Sequence, residues 1–252
     1  MIRDNIINKK GLGRTVHYNP DHALANGLIK YWVLDQISGT STRDIVGSDS
    51  GTLVGFALSG STSNWIYDKN GVGLHFVGGD RVGAGSSPSV TYTDDLTFCC
   101  WYKSDTTDAS RRIVTKGGLG NGQWLPMLQA GQVGHSSANV YEEGTTATSV
   151  TAGQLYFGVA LFDGVNTELK HYRDGVFIGS KDYTFSPDTP STGEWLIGCR
   201  RRVNTYEGYF DGTIYEVRIY DRLLSEDEIT TLYNTPHIDF NRVIRTYGYI
   251  GV

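Results

Sequence analysis

The chain is poor in sulfur and proline, with 3 Cys, 2 Met and 6 Pro in 252 residues. Three cysteines cannot all pair within one chain. Cys99 and Cys100 are also adjacent in a strand-like run, so their side chains point to opposite faces. The expectation is buried free thiols acting as small apolar groups rather than a disulfide framework. No segment approaches the roughly 18 continuous apolar residues of a membrane span. The opening "MIRDNIINKKGLGRTVHYNP" has no apolar stretch like that of a signal peptide. The reading is a protein with no membrane span and no use of the ordinary secretory route. The six histidines, at 17, 22, 75, 135, 171 and 237, are scattered without a pair at metal-binding spacing, and neither a Gly-x-Ser-x-Gly nor a Cys/His signature is present.

Positive charge is also scarce, and the net charge of −5 argues against a general nucleic-acid binder. Its placement is uneven. Residues 1–26 carry Arg3, Lys9, Lys10 and Arg14 against Asp4 and Asp21, so +4 − 2 = +2; residues 235–252 carry Arg242 and Arg245 against Asp239, so +2 − 1 = +1. The middle then holds −5 − 3 = −8. Basic arms flank an acidic body, a pattern suited to self-association or to docking on an acidic surface, and equally within reach of chance in short segments.

What the chain has in quantity is β-forming residues: 16 Tyr, 9 Phe and 5 Trp with abundant Thr and Val, interrupted by 32 Gly. A chain of this length buries a full core as one domain. The expected strands include "GLIKYWVLD", "GVGLHFVGG", "DLTFCCWYKS" with Leu96, Phe98, Cys100 and Tyr102 on one face, and "EWLIGCRRR". "LYFGVALF" is apolar almost throughout, as a central strand covered on both sides would be. In "LKHYRDGVFIGS", Asp174-Gly175 supplies the positive φ angles of a type I′ hairpin turn. Residues 131–153 read as a long surface loop, and "KGGLGNG" reads as a turn because it lacks the strand–loop–helix context of a phosphate cradle.

The most orderly stretch is "FDGTIYEVRIYDRLLSEDEITTLYN" (210–234). Tyr215, Val217 and Ile219 alternate with Glu216, Arg218 and Tyr220, which predicts a strand with one face inward and the other toward water. Ser225 and Glu228 then stand at capping-box spacing, followed by Ile229, Leu232 and Tyr233 at helical spacing. Glu226, Asp227 and Glu228 fall in the first turn, where exposed N–H groups favour negative charge. The helix is expected to plug one edge or end of a sandwich of ten to twelve strands.

These pieces, together with "GLHFVGGDRV" and "KHYRDGVFIGS", resemble in order the laminin-G-like, concanavalin A-like domains over residues 27–234. The resemblance implies an all-β, antiparallel two-sheet jelly-roll sandwich with one short C-terminal helix, extended terminal arms (1–26 and 235–252), glycan ligands as a common theme and calcium as a frequent one. Gln36 and Thr213-Ile214-Tyr215-Glu216 stand where the family often has metal-binding acids, which leaves Asp44 as the calcium candidate, against the plainer reading of an Asx-type turn. No cofactor is required.

A retaining glycanase needs two carboxylates about 5 Å apart. Glu207, Asp211 and Glu216 do not share one regular strand face, and Glu142-Glu143 is an adjacent loop pair, so the expectation is a protein that is not an enzyme. Sugar recognition instead uses exposed aromatics with hydroxyl-reading neighbours, and the candidates are Trp124 with Gln123, and Tyr206 with Asn204 and Arg201. Single domains of this kind with short tails resemble bacteriophage structural proteins. The leading functional expectation is accordingly a virion protein, either capsid decoration or tail spike or fibre, assembled in the host cytoplasm and displayed on the particle surface. Lys9, Lys10, Arg14, Phe240, Arg242, Arg245 and Tyr247 would anchor it to other virion proteins. Homo-oligomerisation and a cell-surface glycan partner fit this reading; nucleic acid and membrane do not. A free carbohydrate-binding module is the alternative, and a glycan hydrolase the third.

Overall fold

The structure, a computed structural model, describes residues 3–4, 14–36, 38–47, 49–59, 64–91, 93–119, 125–136, 143–183, 191–202, 204–236 and 240–244. Two large antiparallel sheets stack face to face, as the alternating strands predict. The first runs through Val176–Asp182, Glu168–Arg173, Leu155–Asp163, Leu96–Ser104 and Gly212–Tyr220. Beyond that last strand it forks. Gly71–Phe76 pairs with its beginning and leads to the edge strand Trp65–Asp68, while Leu28–Val33 pairs with Glu216–Tyr220. The second sheet runs in order through Glu143–Gly144, Val133–Ser136, Leu125–Gln129, Arg112–Lys116, Trp195–Ile197, Arg81–Gly83, Ser50–Val54 and Ser41–Arg43.

The inward positions of both sheets make one core. Phe98, Cys100 and Tyr102 from the first sheet meet Val114, Leu128, Trp195 and Ile197 from the second. Phe98 packs edge-on to Trp195 with ring centroids 5.6 Å apart. All three cysteines are free and buried. Leu155–Asp163 is buried along nearly its whole length, as its continuous apolar run predicts. Arg173 pairs directly with Val176 across a two-residue turn in which Asp174 (φ 55°) and Gly175 (φ 80°) both take the left-handed region.

The strand Gly212–Tyr220 departs from the expectation. All nine residues are buried, and the face expected to meet water is covered. Register with Leu96–Ser104 slips between Ile214 and Glu216, so Tyr215 is the extra residue of a bulge and Ile214, Val217 and Ile219 face the core. On the other side a second apolar cluster joins Leu24, Leu28, Tyr31, Cys99, Phe157, Tyr172 and Tyr220 to Ile229 and Leu232 of the helix Glu226–Asn234. The helix therefore lies on the outer face of the first sheet instead of plugging an edge or end, because Ile229 and Leu232 need an apolar surface and Phe157, Tyr172 and Tyr220 provide it. Its capping box is complete, and Glu228 also takes both ends of the Arg222 guanidinium at 2.9 and 2.7 Å. Thr97 ties down the corner before it, donating to the Arg222 carbonyl and accepting from Leu224 N–H.

Three further expectations are revised. Among the described residues the two large sheets hold 16 strands rather than ten to twelve, several of them only two or three residues long, and two small sheets add six more. Residues 131–153 hold two short strands at the edge of the second sheet, with Val133 and Val150 reaching the core. "EWLIGCRRR" is two strands, not one. Gly198 (φ 88°) breaks it where a side chain would strike the ring of Phe76, and the chain leaves the second sheet for a small one. The terminal arms also pair with each other: Phe240–Ile244 lies antiparallel to Arg14–Tyr18, which in turn pairs with Arg3–Asp4.

Candidate functional site

The outer face of the second sheet carries the arrangement of most chemical interest. Val82 points into the core, so its neighbours Arg81 and Gly83 point outward; Leu196 does the same between Trp195 and Ile197. Over this face stands a small three-stranded sheet. Arg200–Arg202 turns back antiparallel to Thr205–Glu207, and Gly118–Leu119 pairs with it in parallel.

Tyr206 is the centre of this assembly. Its hydroxyl donates to Glu194 Oε1 at 2.9 Å, and the Arg81 guanidinium lies 3.9 Å from its ring centroid. Glu194 reaches this position because Gly83 beneath it has no side chain; a Cβ there would sit 2.9 Å from Glu194 Oε2. Arg201 is directly opposite Tyr206 in register, so both are on the same face of the hairpin. Burial, then the hydrogen bond to Glu194, raises the Tyr206 pKa, which keeps the phenol a donor. The remaining charges sort by partner. Arg200 is committed to Glu207, with contacts of 2.8 and 3.0 Å, whereas Arg81 has no carboxylate partner among the described residues. Nearby Cys199 is buried and its thiol is pushed up to about 12 by desolvation, so it is no nucleophile.

Of the glycan candidates read from the sequence, Tyr206, Asn204 and Arg201 come together on this hairpin, with Asn204 exposed at its turn. Trp124 and Gln123 lie outside the described residues. The strand leading toward them, Gly118–Leu119, pairs with Arg201 and Arg202, which brings that part of the Gly-rich "KGGLGNG" into the same small sheet. Sequence reasoning missed Arg81 and Glu194. Neither is next to Tyr206 along the chain, and the one signal available was Arg81 in "GLHFVGGDRV", just past the expected strand "GVGLHFVGG".

Asp44 has a different role from metal binding. Its Oδ1 accepts from the backbone N–H groups of Tyr31 (3.0 Å) and Val46 (3.1 Å), the second of these closing an Asx-type turn. Its Oδ2 lies 3.1 Å from the Lys30 ammonium, which also contacts Asp49 at 2.8 Å. The carboxylate is thus surrounded by donors and an internal cation instead of further oxygen ligands, and the site does not fit calcium. Among the described residues no group of three His, Cys, Asp or Glu is placed to hold a metal ion.

The carboxylates weighed for hydrolysis are dispersed. Glu207 is on the small sheet with Arg200, while Glu216 is buried in the first sheet, 3.2 Å from Arg218 Nε and accepting from the Tyr31 hydroxyl at 2.7 Å. Glu142 and the Glu143 side chain lie outside the described residues. An open cleft of about 590 Å³ at another place on the surface is lined by Pro88, Val90, Asp94, Asp95, Val165 and Asp221. Asp94 and Asp95 there accept from Thr91 and Gly164 N–H groups, which ties them into the loops. Of the anchoring candidates, Arg14, Phe240 and Arg242 lie in the paired terminal strands, whereas Lys9, Lys10, Arg245 and Tyr247 are outside the described residues. No helix among the described residues is long and apolar enough to cross a membrane.

Comparison with known proteins agrees with this architecture. The family profile described as the concanavalin A-like lectin/glucanases superfamily matches residues 76–230. No curated protein matches. Among solved structures, domain 4 of AbnA, a GH43 extracellular arabinanase from Geobacillus stearothermophilus, in complex with arabinotriose, superposes with a TM-score of 0.62 at 19% identity, over 82% of this chain and 98% of that one. Trypanosoma rangeli sialidase in complex with 2,3-difluorosialic acid gives 0.55 at 16% identity, over 84% of this chain but 34% of the sialidase. The binding domain of Paraclostridial Mosquitocidal Protein 1 gives 0.54 at 12% identity, over 82% of this chain and 52% of that one. At these identities the likeness is one of fold.

Proposed function

Since the chain belongs to the concanavalin A-like lectin/glucanases superfamily, we propose that it is a non-enzymatic glycan-binding module whose site is the Tyr206 hairpin over the outer face of the second sheet. The observation that carries this reading is the fixed tyrosine. A partly exposed ring, held at its hydroxyl by Glu194 and on one face by Arg81, is a rigid surface for a sugar, flanked by Arg201 and Asn204 to read hydroxyl groups. The arabinotriose complex of the similarly sized arabinanase domain supports it by analogy of fold. The dispersed and neutralised carboxylates support the absence of hydrolysis.

The test is a glycan-binding screen of the full chain, followed by Tyr206→Ala. Retained affinity in the variant would remove this site, and binding of no glycan by the parent chain would remove the function. A fall of at least tenfold, about 1.4 kcal/mol, is expected.

The pairing of Arg14–Tyr18 with Phe240–Ile244 favours a second element of the reading. These two segments meet in a sheet separate from the two of the sandwich, where one contact can hold the module to a larger body. We place that body as a virion: the chain is a capsid decoration or a tail spike or fibre component, assembled in the cytoplasm, with the sandwich displayed at the particle surface toward a cell-surface glycan. Deleting 1–26 or 235–252 should abolish incorporation into particles separated on a density gradient. Normal incorporation of both truncated forms would leave a free carbohydrate-binding module.

A further inference from the structure

A fold of this kind leaves the class of glycan open, and the charges around Tyr206 narrow it. We infer that the site takes an acidic glycan, with the carboxylate of a uronic or sialic acid seated against Arg81 and Arg201. This rests on the glycan-binding reading of the same hairpin.

The charges around the hairpin are engaged unequally. Arg200 is neutralised by Glu207, and Glu194 is engaged by the Tyr206 hydroxyl. Arg81 is only partly buried and has no carboxylate partner among the described residues, yet it is held in place by its stack on the Tyr206 ring at 3.9 Å. Contact with the ring restrains the guanidinium while leaving its N–H groups able to donate. A planar fork of this kind matches a carboxylate better than a hydroxyl. Arg201, across from Tyr206 in register, adds a second cation on the same face of the hairpin. Arg81 and Arg201 lie on a body whose residues 27–234 carry a net charge of −8, which disfavours an anionic ligand elsewhere and favours it beside these two cations.

The experiment compares matched ligands on the folded full chain. The probes are oligogalacturonate against its methyl ester, and sialyllactose against its sialic acid methyl ester. Each pair differs in the carboxylate alone. The acid form of at least one pair should bind at least tenfold tighter than its ester, and the difference should shrink with added salt. Arg81→Gln should lower binding of the acid form more than that of the ester, so that the acid-to-ester affinity ratio falls at least fivefold toward one. Equal affinity for acid and ester in both pairs, or tighter binding of neutral glycans in the broader screen, would overturn the inference and leave the glycan-binding reading intact. Binding of no glycan of either type would overturn both. The comparison on the parent chain decides the question even if Arg81→Gln fails to fold, and Arg201→Gln provides the second variant.

Discussion

The two outer faces of the sandwich handle charge in opposite ways. On the first sheet Glu216 and Arg218 are 3% and 1% exposed, paired with each other and with the Tyr31 hydroxyl, which accepts from Arg218 at 2.6 Å. The N-terminal segment and the helix close over them. On the second sheet Arg81 stands partly exposed against Tyr206, and nothing as continuous as the helix covers it among the described residues. A buried pair engaged with each other and with Tyr31 is expensive to disturb and has little to offer a ligand, whereas a partly exposed guanidinium held against a ring contributes little to folding and is available to an external group. Location in the fold thus separates charges that hold the sandwich together from charges that can recognise something.

The sharpest way to break this comparison is to remove one member of the buried pair. Arg218→Ala leaves Glu216 charged among apolar groups and should lower stability by about 3–5 kcal/mol in urea denaturation. A loss below about 1 kcal/mol would mean that water reaches the face after all. The next effect concerns the interior between the faces. Burial lowers the pKa of His171 to about 4 and that of His135 to about 3, and both side chains are fully buried. The unfolded chain binds protons near pH 6.5 while the folded chain resists, so stability should be flat above about pH 6.5 and fall as pH drops toward 4. For His171 the shift corresponds to about 3 kcal/mol across that window. His171→Leu should flatten that part of the curve in a pH series of thermal melts; an unchanged slope would place the proton uptake elsewhere.

Features set by neighbours along the chain are legible in the order of residues alone. The Asp174-Gly175 turn, the Ser225–Glu228 capping box and the unpaired cysteines all follow from residue type at short spacing. What escaped depended on contacts between distant segments. The Tyr215 bulge comes from how Gly212–Tyr220 registers with Leu96–Ser104, and it shifts which residues of that strand face inward. Alternation reported that Glu216 and Arg218 share a side, but not that Leu24, Leu28 and the helix would cover it. In the candidate site, Tyr206 and Arg201 could be named from one hairpin, whereas Arg81 and Glu194 acquire meaning only when the second sheet places them beneath it.

Smaller effects sharpen the contrast. Ser225→Ala removes the cap of the helix that seals the first sheet and should cost about 1 kcal/mol, read by the same denaturation series. Tyr206→Phe should cost less still, about 0.5 kcal/mol or under, because the lost hydrogen bond is partly exposed and water can replace the phenol at Glu194. Binding should respond far more than folding. Phenylalanine keeps a ring beneath Arg81, but Glu194, released from the hydroxyl, can turn toward the guanidinium and compete with an incoming carboxylate. The variant should therefore melt within about 3 °C of the parent while its preference for an acidic glycan over the methyl ester falls. A large drop in melting temperature would instead make Tyr206 a staple between the hairpin and the second sheet, and the two outer faces would differ in coverage without differing in purpose.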